Sequence, residues 1–121
     1  MELIPQIDAG KVVEALAALA QEHRLAAFRL LVQAGEKGMP AGAIAEGLGL
    51  PASSLSFHLG QLRLAGLIRQ ERQHRSIIYR ADHIAVLGVV AYLKENCCRD
   101  VCELDANGAA KPIPEAAERT A

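Results

Sequence analysis

The sequence predicts a mainly α-helical fold with one small β-hairpin. Three observations predict it. Ala and Leu dominate a chain of 121 residues that is 51% apolar and only 3% aromatic, with no Trp, which favours helices packed through aliphatic side chains. Gly and Pro punctuate apolar segments that repeat at helical spacing. A single stretch, Leu67 to Arg80, reads instead as two short strands joined around Gln73-His74-Arg75. The length suits one compact domain with tails.

The elements follow in order. Asp8 is placed to cap a first helix over Lys11 to Ala20, which is apolar on more than one face. A second helix covers Glu22 to Ala34, with Leu25, Phe28, Leu31 and Val32 at core spacing, and Gly35 and Gly38 end it. Pro40 opens a short third helix, Ala41 to Leu48, because the N–H it lacks has no partner at a helix start. Gly49 supplies a left-handed turn, and Pro51 opens a fourth helix to about Ala65, stopped by Gly66. Strands Leu67 to Arg72 and Ser76 to Arg80 come next. Asp82 caps a fifth helix reaching about Asn96, with Ile84, Leu87, Val90 and Ala91 on one side and Val86, Val89 and Leu93 on others. Residues 1–96 thus form the folded domain, 97–104 a cysteine-bearing segment, and 105–121, with Gly108, Pro112 and Pro114, a disordered tail.

The first and last helices are too apolar all round for a small monomer to bury. A second copy of the chain is the expected cover, giving a two-fold homodimer. No apolar run approaches the roughly 18–20 residues that cross a bilayer, so no membrane partner is expected. The N-terminus lacks the charged and apolar regions of a secretion signal, and clustered thiols suit a reducing compartment, so the expected location is cytoplasmic.

Charge is unevenly spread. The formal net charge is −1, yet five Arg face one Glu between Gln61 and Arg80, while six acidic and three basic residues lie between Glu95 and Ala121. The basic stretch follows two short helices joined by a Gly turn. Helix, turn, helix and an Arg-bearing hairpin together form a winged helix-turn-helix pattern, which binds double-stranded DNA. Ile44, Ala45, Leu48 and Leu50 fill its interior, and Leu55, Leu59 and Leu62 keep core spacing in the second helix. Ser53, Ser54, Ser56, Phe57 and His58 then face outward near the helix end that enters a major groove. Ser hydroxyls suit base edges and phosphates, and the helix N-terminus favours a phosphate. Arg63, Arg72 and Arg75, with Arg69 and Arg80, are positioned for the DNA backbone or the minor groove.

Ala18-Leu19-Ala20-Gln21-Glu22-His23-Arg24-Leu25 followed by Phe28-Arg29-Leu30-Leu31 resembles the opening signature of the ArsR/SmtB metalloregulatory repressors. Ser53-Ser54-Leu55-Ser56-Phe57-His58-Leu59 and Leu62-Arg63-Leu64-Ala65-Gly66-Leu67-Ile68 are similar to its DNA-reading segment, and the resemblance spans about Val12 to Leu93. It implies a winged-helix homodimer that represses its promoter until an ion loosens it from DNA. The chain departs from the family at four places. The third helix carries no Cys, where relatives often have a Cys-Val-Cys-type arsenic motif. The last helix offers Asp82 and His83, then Tyr92 and Glu95 but no second His, a poor zinc set. The wing turn has no Gly, so His74 or a neighbour must take the tight-turn geometry. Phe57 occupies a position that is often polar or basic in relatives.

All three cysteines, Cys97, Cys98 and Cys102, fall within six residues directly after the last helix. An odd number suits a disulfide framework poorly, and structural zinc wants four ligands. Trivalent arsenic or antimony wants three thiolates on one side. Adjacent residues in a regular helix point about 100° apart, so Cys97 and Cys98 converge only where the helix frays, with Cys102 completing the set from the loop. C-terminal clusters of this kind resemble those of arsenite-responsive family members. The expected inducer is therefore As(III) or Sb(III), as arsenite, antimonite or a methylated arsenical, the last needing two of the three thiols. Lead, cadmium or thiol oxidation are the alternatives at the same residues. No organic cofactor is expected, and an enzyme is not: the cluster lacks an anion-cradling Gly-rich loop and a general acid. An operator built as an inverted repeat matches a two-fold dimer.

Overall fold

The computed structural model describes residues 7–95 and the backbone of Cys102–Leu104 and Ala110–Pro112. Helix α1 spans Ala9–Leu19, two residues earlier than expected at its start. Asp8 sets that start: its carboxylate accepts from the Lys11 N–H at 2.8 Å. Gln21 repeats the device for α2, Glu22–Ala34, accepting from the Arg24 N–H at 2.9 Å.

A single 3-10 turn, Gly35–Lys37, leads to a two-residue strand that the sequence reading did not contain: β1, Met39–Pro40. It pairs antiparallel with β3, Met39 opposite Tyr79 and Pro40 opposite Ile78. Gly38 makes this approach possible. Its φ is +68°, and a Cβ there would stand 2.6 Å from the Tyr79 carbonyl oxygen.

Helix α3, Ala41–Leu48, ends on Gly49 in the left-handed region with φ +67°. Helix α4, Ala52–Leu64, follows with Pro51 as its N-cap. Strands β2, Ile68–Gln73, and β3, Ser76–Ala81, pair in register from Ile68 opposite Ala81 to Gln73 opposite Ser76. The sheet order is β1-β3-β2. The hairpin turn has no Gly, and His74 adopts φ +58°, as the absence of glycine requires. Helix α5, His83–Lys94, is capped by Asp82, which accepts from the Ala85 N–H at 3.1 Å. It stops at Lys94, short of Asn96.

Leu31, Ile44, Leu55, Leu59, Leu62 and Leu67 are fully buried and tie α2, α3, α4 and the start of the sheet into one core. Val12 and Ala15 from α1 and Val89 from α5 join it. The opposite sides of those two helices stay open: Val13 and Leu16 on α1, and Ile84, Leu87, Val90 and Leu93 on α5, are all exposed.

Beyond α5, strands β4, Cys102–Leu104, and β5, Ala110–Pro112, pair antiparallel, Cys102 opposite Pro112. β5 lies within the stretch expected to be a disordered tail. A Pro-bearing polar composition argues against a packed core but does not prevent one short ladder. Cys97 and Cys98 lie outside the described residues, as does the rest of that tail.

Candidate nucleic-acid interface

The three-residue link Gly49–Pro51 sets α4 across α3, and the buried Leu55, Leu59 and Leu62 fix its rotation. What remains outward is decided by the 3.6-residue period. Ser53, Ser56 and Phe57 are exposed and, at spacings of three and four, share one face with the half-buried Gly60 and exposed Arg63. Ser54 is exposed on the neighbouring side, toward the face that carries His58. Pro51 makes no side-chain cap bond, so the Ser hydroxyls are not used to close the helix start. The N–H groups of the first turn and the positive end of the helix dipole favour a phosphate there.

His58 is not fully outward. It is half-buried, its ring 5.6 Å from that of His23 and its Nδ1 3.5 Å from Arg24 Nη1. An arginine N–H can only donate, so Nδ1 is the acceptor and the neutral ring carries its proton on Nε2. Burial, then the Arg24 guanidinium and His23, hold the His58 imidazole below the ordinary histidine value of 6.5. Arg24 also donates from Nε to the Ala18 carbonyl at 2.7 Å. Arg24 and His23 enter the sequence reading only as part of the family signature. Their partners lie on α1 and α4, and no local spacing signals the contact with α4.

The wing divides its arginines. Arg72 and Arg75 are exposed and project from the hairpin end, as expected of backbone-contacting residues. Arg69 lies 3.9 Å from the Asp82 carboxylate, an exposed and weak pair. Arg80 is engaged within the chain: its Nε donates to the Glu36 carbonyl at 2.6 Å and its Nη1 to the Glu71 carboxylate. Pairing of β1 with β3 brings the Gly35–Lys37 turn over Arg80, and that closure was not legible in the sequence. The exposed Arg63 sits in the last turn of α4, where a cation complements the helix dipole.

Of the three cysteines only the backbone of Cys102 is described, as the first residue of β4. Among the described residues no group of three His, Cys, Asp or Glu is gathered to hold a metal ion. No helix among them is long and apolar enough to cross a membrane.

Residues 19–71 match the model of a helix-turn-helix domain family. The HTH-type transcriptional regulator YgaV of Escherichia coli K12 is 32% identical over 98 residues, which is 81% of this chain and 99% of that protein. A homodimeric winged helix-turn-helix DNA-binding domain, Mb0332 of Mycobacterium bovis, is assigned as a possible ArsR-family transcriptional regulator. It superposes with a TM-score of 0.58 at 27% identity, over 72% of this chain and 80% of that one. The transcriptional repressor BigR of Xylella fastidiosa superposes with a TM-score of 0.55 at 28% identity, covering 72% and 88%.

Proposed function

Because the chain belongs to the ArsR family of winged helix-turn-helix transcriptional regulators, we propose that it is a repressor released from its operator by trivalent arsenic. The observation that carries the DNA half is the outward face of α4, with Ser53, Ser56 and Phe57 exposed beside a wing bearing the exposed Arg72 and Arg75. Ser54, His58 and Arg63 flank that face.

A two-fold dimer supports this use of α4. The exposed apolar sides of α1 and α5 give a second copy something to bury, and Mb0332 is a homodimer. Two copies present two recognition helices to two half-sites of an inverted repeat.

The inducer half rests on donor chemistry and chain position. Cys97 follows the end of α5 by three residues, and Cys102 opens β4. Three thiols in this interval suit arsenite, antimonite or a methylated arsenical, soft ions that prefer sulfur. Thiolate capture there acts on the chain immediately after a helix of the apolar dimer face. A hundredfold loss of DNA affinity requires about 2.7 kcal/mol of coupling between the two sites.

The test is fluorescence anisotropy on a duplex from the chain's own promoter. Arsenite, antimonite and methylarsenite are titrated in parallel with Pb(II), Cd(II) and hydrogen peroxide. Release by the arsenicals or antimonite at the lowest concentration supports the reading. Release only by lead, cadmium or peroxide transfers the site to another soft metal or to thiol oxidation.

A further inference from the structure

The chain contains two Phe residues. Phe28 is in the core at 6% exposure, whereas Phe57 stands on the outward face of α4 at 60%. Its neighbours on that face are small: Ser53, Ser56 and Gly60, and a Cβ added at Gly60 would meet nothing within 4 Å. The ring therefore stands proud of the helix. Among the described residues the His58 ring leans against it, edge-on at 5.6 Å between ring centres and 64° between planes. Leu64, the other exposed apolar residue of α4, lies roughly 10 Å further along the helix by its rise per residue. It borders the cleft shared with Glu14 and Ala17 of α1, and so belongs to a different surface.

A phenyl ring offers no hydrogen bond to a base edge. The major groove exposes one apolar group that distinguishes the base pairs, the C5-methyl of thymine. We propose that Phe57 is a specificity-determining residue that reads one thymine methyl in each half-site, while Ser53 and Ser56 beside it supply the polar contacts. This rests on the reading that α4 enters the major groove.

Burying one methyl group contributes about 0.8 kcal/mol, close to a fourfold change in affinity. With two half-sites the effect compounds to about 15-fold. Since the residue is exposed, its replacement leaves the core untouched.

The experiment begins with duplexes enriched from a random library by the full wild-type chain. Each thymine of the enriched site is then replaced by deoxyuridine, which removes only the methyl. Wild type is expected to lose about fourfold at one thymine per half-site, and about 15-fold with both replaced. Phe57→Ala is expected to bind the thymine and deoxyuridine duplexes equally, and Phe57→Leu to keep part of the discrimination. Two results overturn the proposal: wild type insensitive to deoxyuridine at every position, or Phe57→Ala retaining the full methyl effect. If no sequence is enriched at all, base reading by α4 falls with it, and that outcome is distinct from enrichment without a methyl effect.

Discussion

Arg24 bonds to α1 and α4 at once: its Nε donates to the Ala18 carbonyl at 2.7 Å while its Nη1 lies 3.5 Å from His58 Nδ1. Ala18 belongs to the helix whose other side carries the exposed Val13 and Leu16, and His58 to α4, the proposed recognition helix. One guanidinium thus joins α1 to α4.

The pH dependence of this contact has a definite sign. The folded His58 value lies below the ordinary 6.5, so the native state binds fewer protons than the unfolded chain as pH falls through that region. The contribution is complete above 6.5 and is lost as pH drops through the folded value. Denaturant melts from pH 7.5 to 5 are expected to show a steeper decline for wild type than for His58→Gln. In Arg24→Ala, NMR titration is expected to find the His58 value raised but still depressed by burial, with about 1 kcal/mol of stability lost along with the hydrogen bond.

The wing arginines separate by salt dependence. Arg72→Ala and Arg75→Ala are each expected to remove one phosphate contact per protomer, flattening the slope of log affinity against log salt by about two units per dimer. Arg80→Ala is expected to leave that slope unchanged. It should instead lower thermal stability by roughly 1 kcal/mol, because its partners are Glu36 and Glu71 of the same chain. Anisotropy across a salt series and a melting curve distinguish the two classes.

Gly38→Ala tests the closure of β1 on β3. The added Cβ would stand 2.6 Å from the Tyr79 carbonyl oxygen and 2.8 Å from side-chain atoms of Arg80 and Ile78, at a φ and ψ that only glycine adopts readily. A loss of about 3 kcal/mol is expected in chemical denaturation. Gly42→Ala, where nothing lies within 4 Å of the added atom, should cost nothing measurable.

The apolar sides of α1 and α5 predict the assembly. Leu87→Glu places a charge on a half-exposed position of α5 without entering the core. Sedimentation is expected to show wild-type dimer and variant monomer, and the monomer should bind an inverted repeat at least 100-fold more weakly because the second half-site is no longer coupled.

Much of this molecule is legible in the sequence because its rules are local. The bounds of α2 and α3, the cap at Asp82, the left-handed Gly49 and the positive φ of His74 all follow from neighbouring residues. What was not legible depends on distant partners. Pro40 opens α3 as read, but that it also forms a strand with Met39 depends on β3 lying alongside. Arg80 reads as a DNA contact until Glu36 is brought over it, and the tie of Arg24 to Ala18 and His58 needs three helices in place. The outward set on α4 could be read because helical period alone assigns it, except for His58, whose burial comes from α2. The cysteines were found from their spacing, and their role rests on chemistry.

That role is the central claim, and one measurement addresses it most directly: arsenite-driven release of operator DNA by anisotropy, comparing wild type with Cys97→Ser, Cys98→Ser and Cys102→Ser. Wild type is expected to release DNA with one arsenic bound per protomer by mass, and each variant only at much higher arsenite, with unliganded DNA affinity unchanged. Release by all three variants at the wild-type arsenite concentration would contradict it.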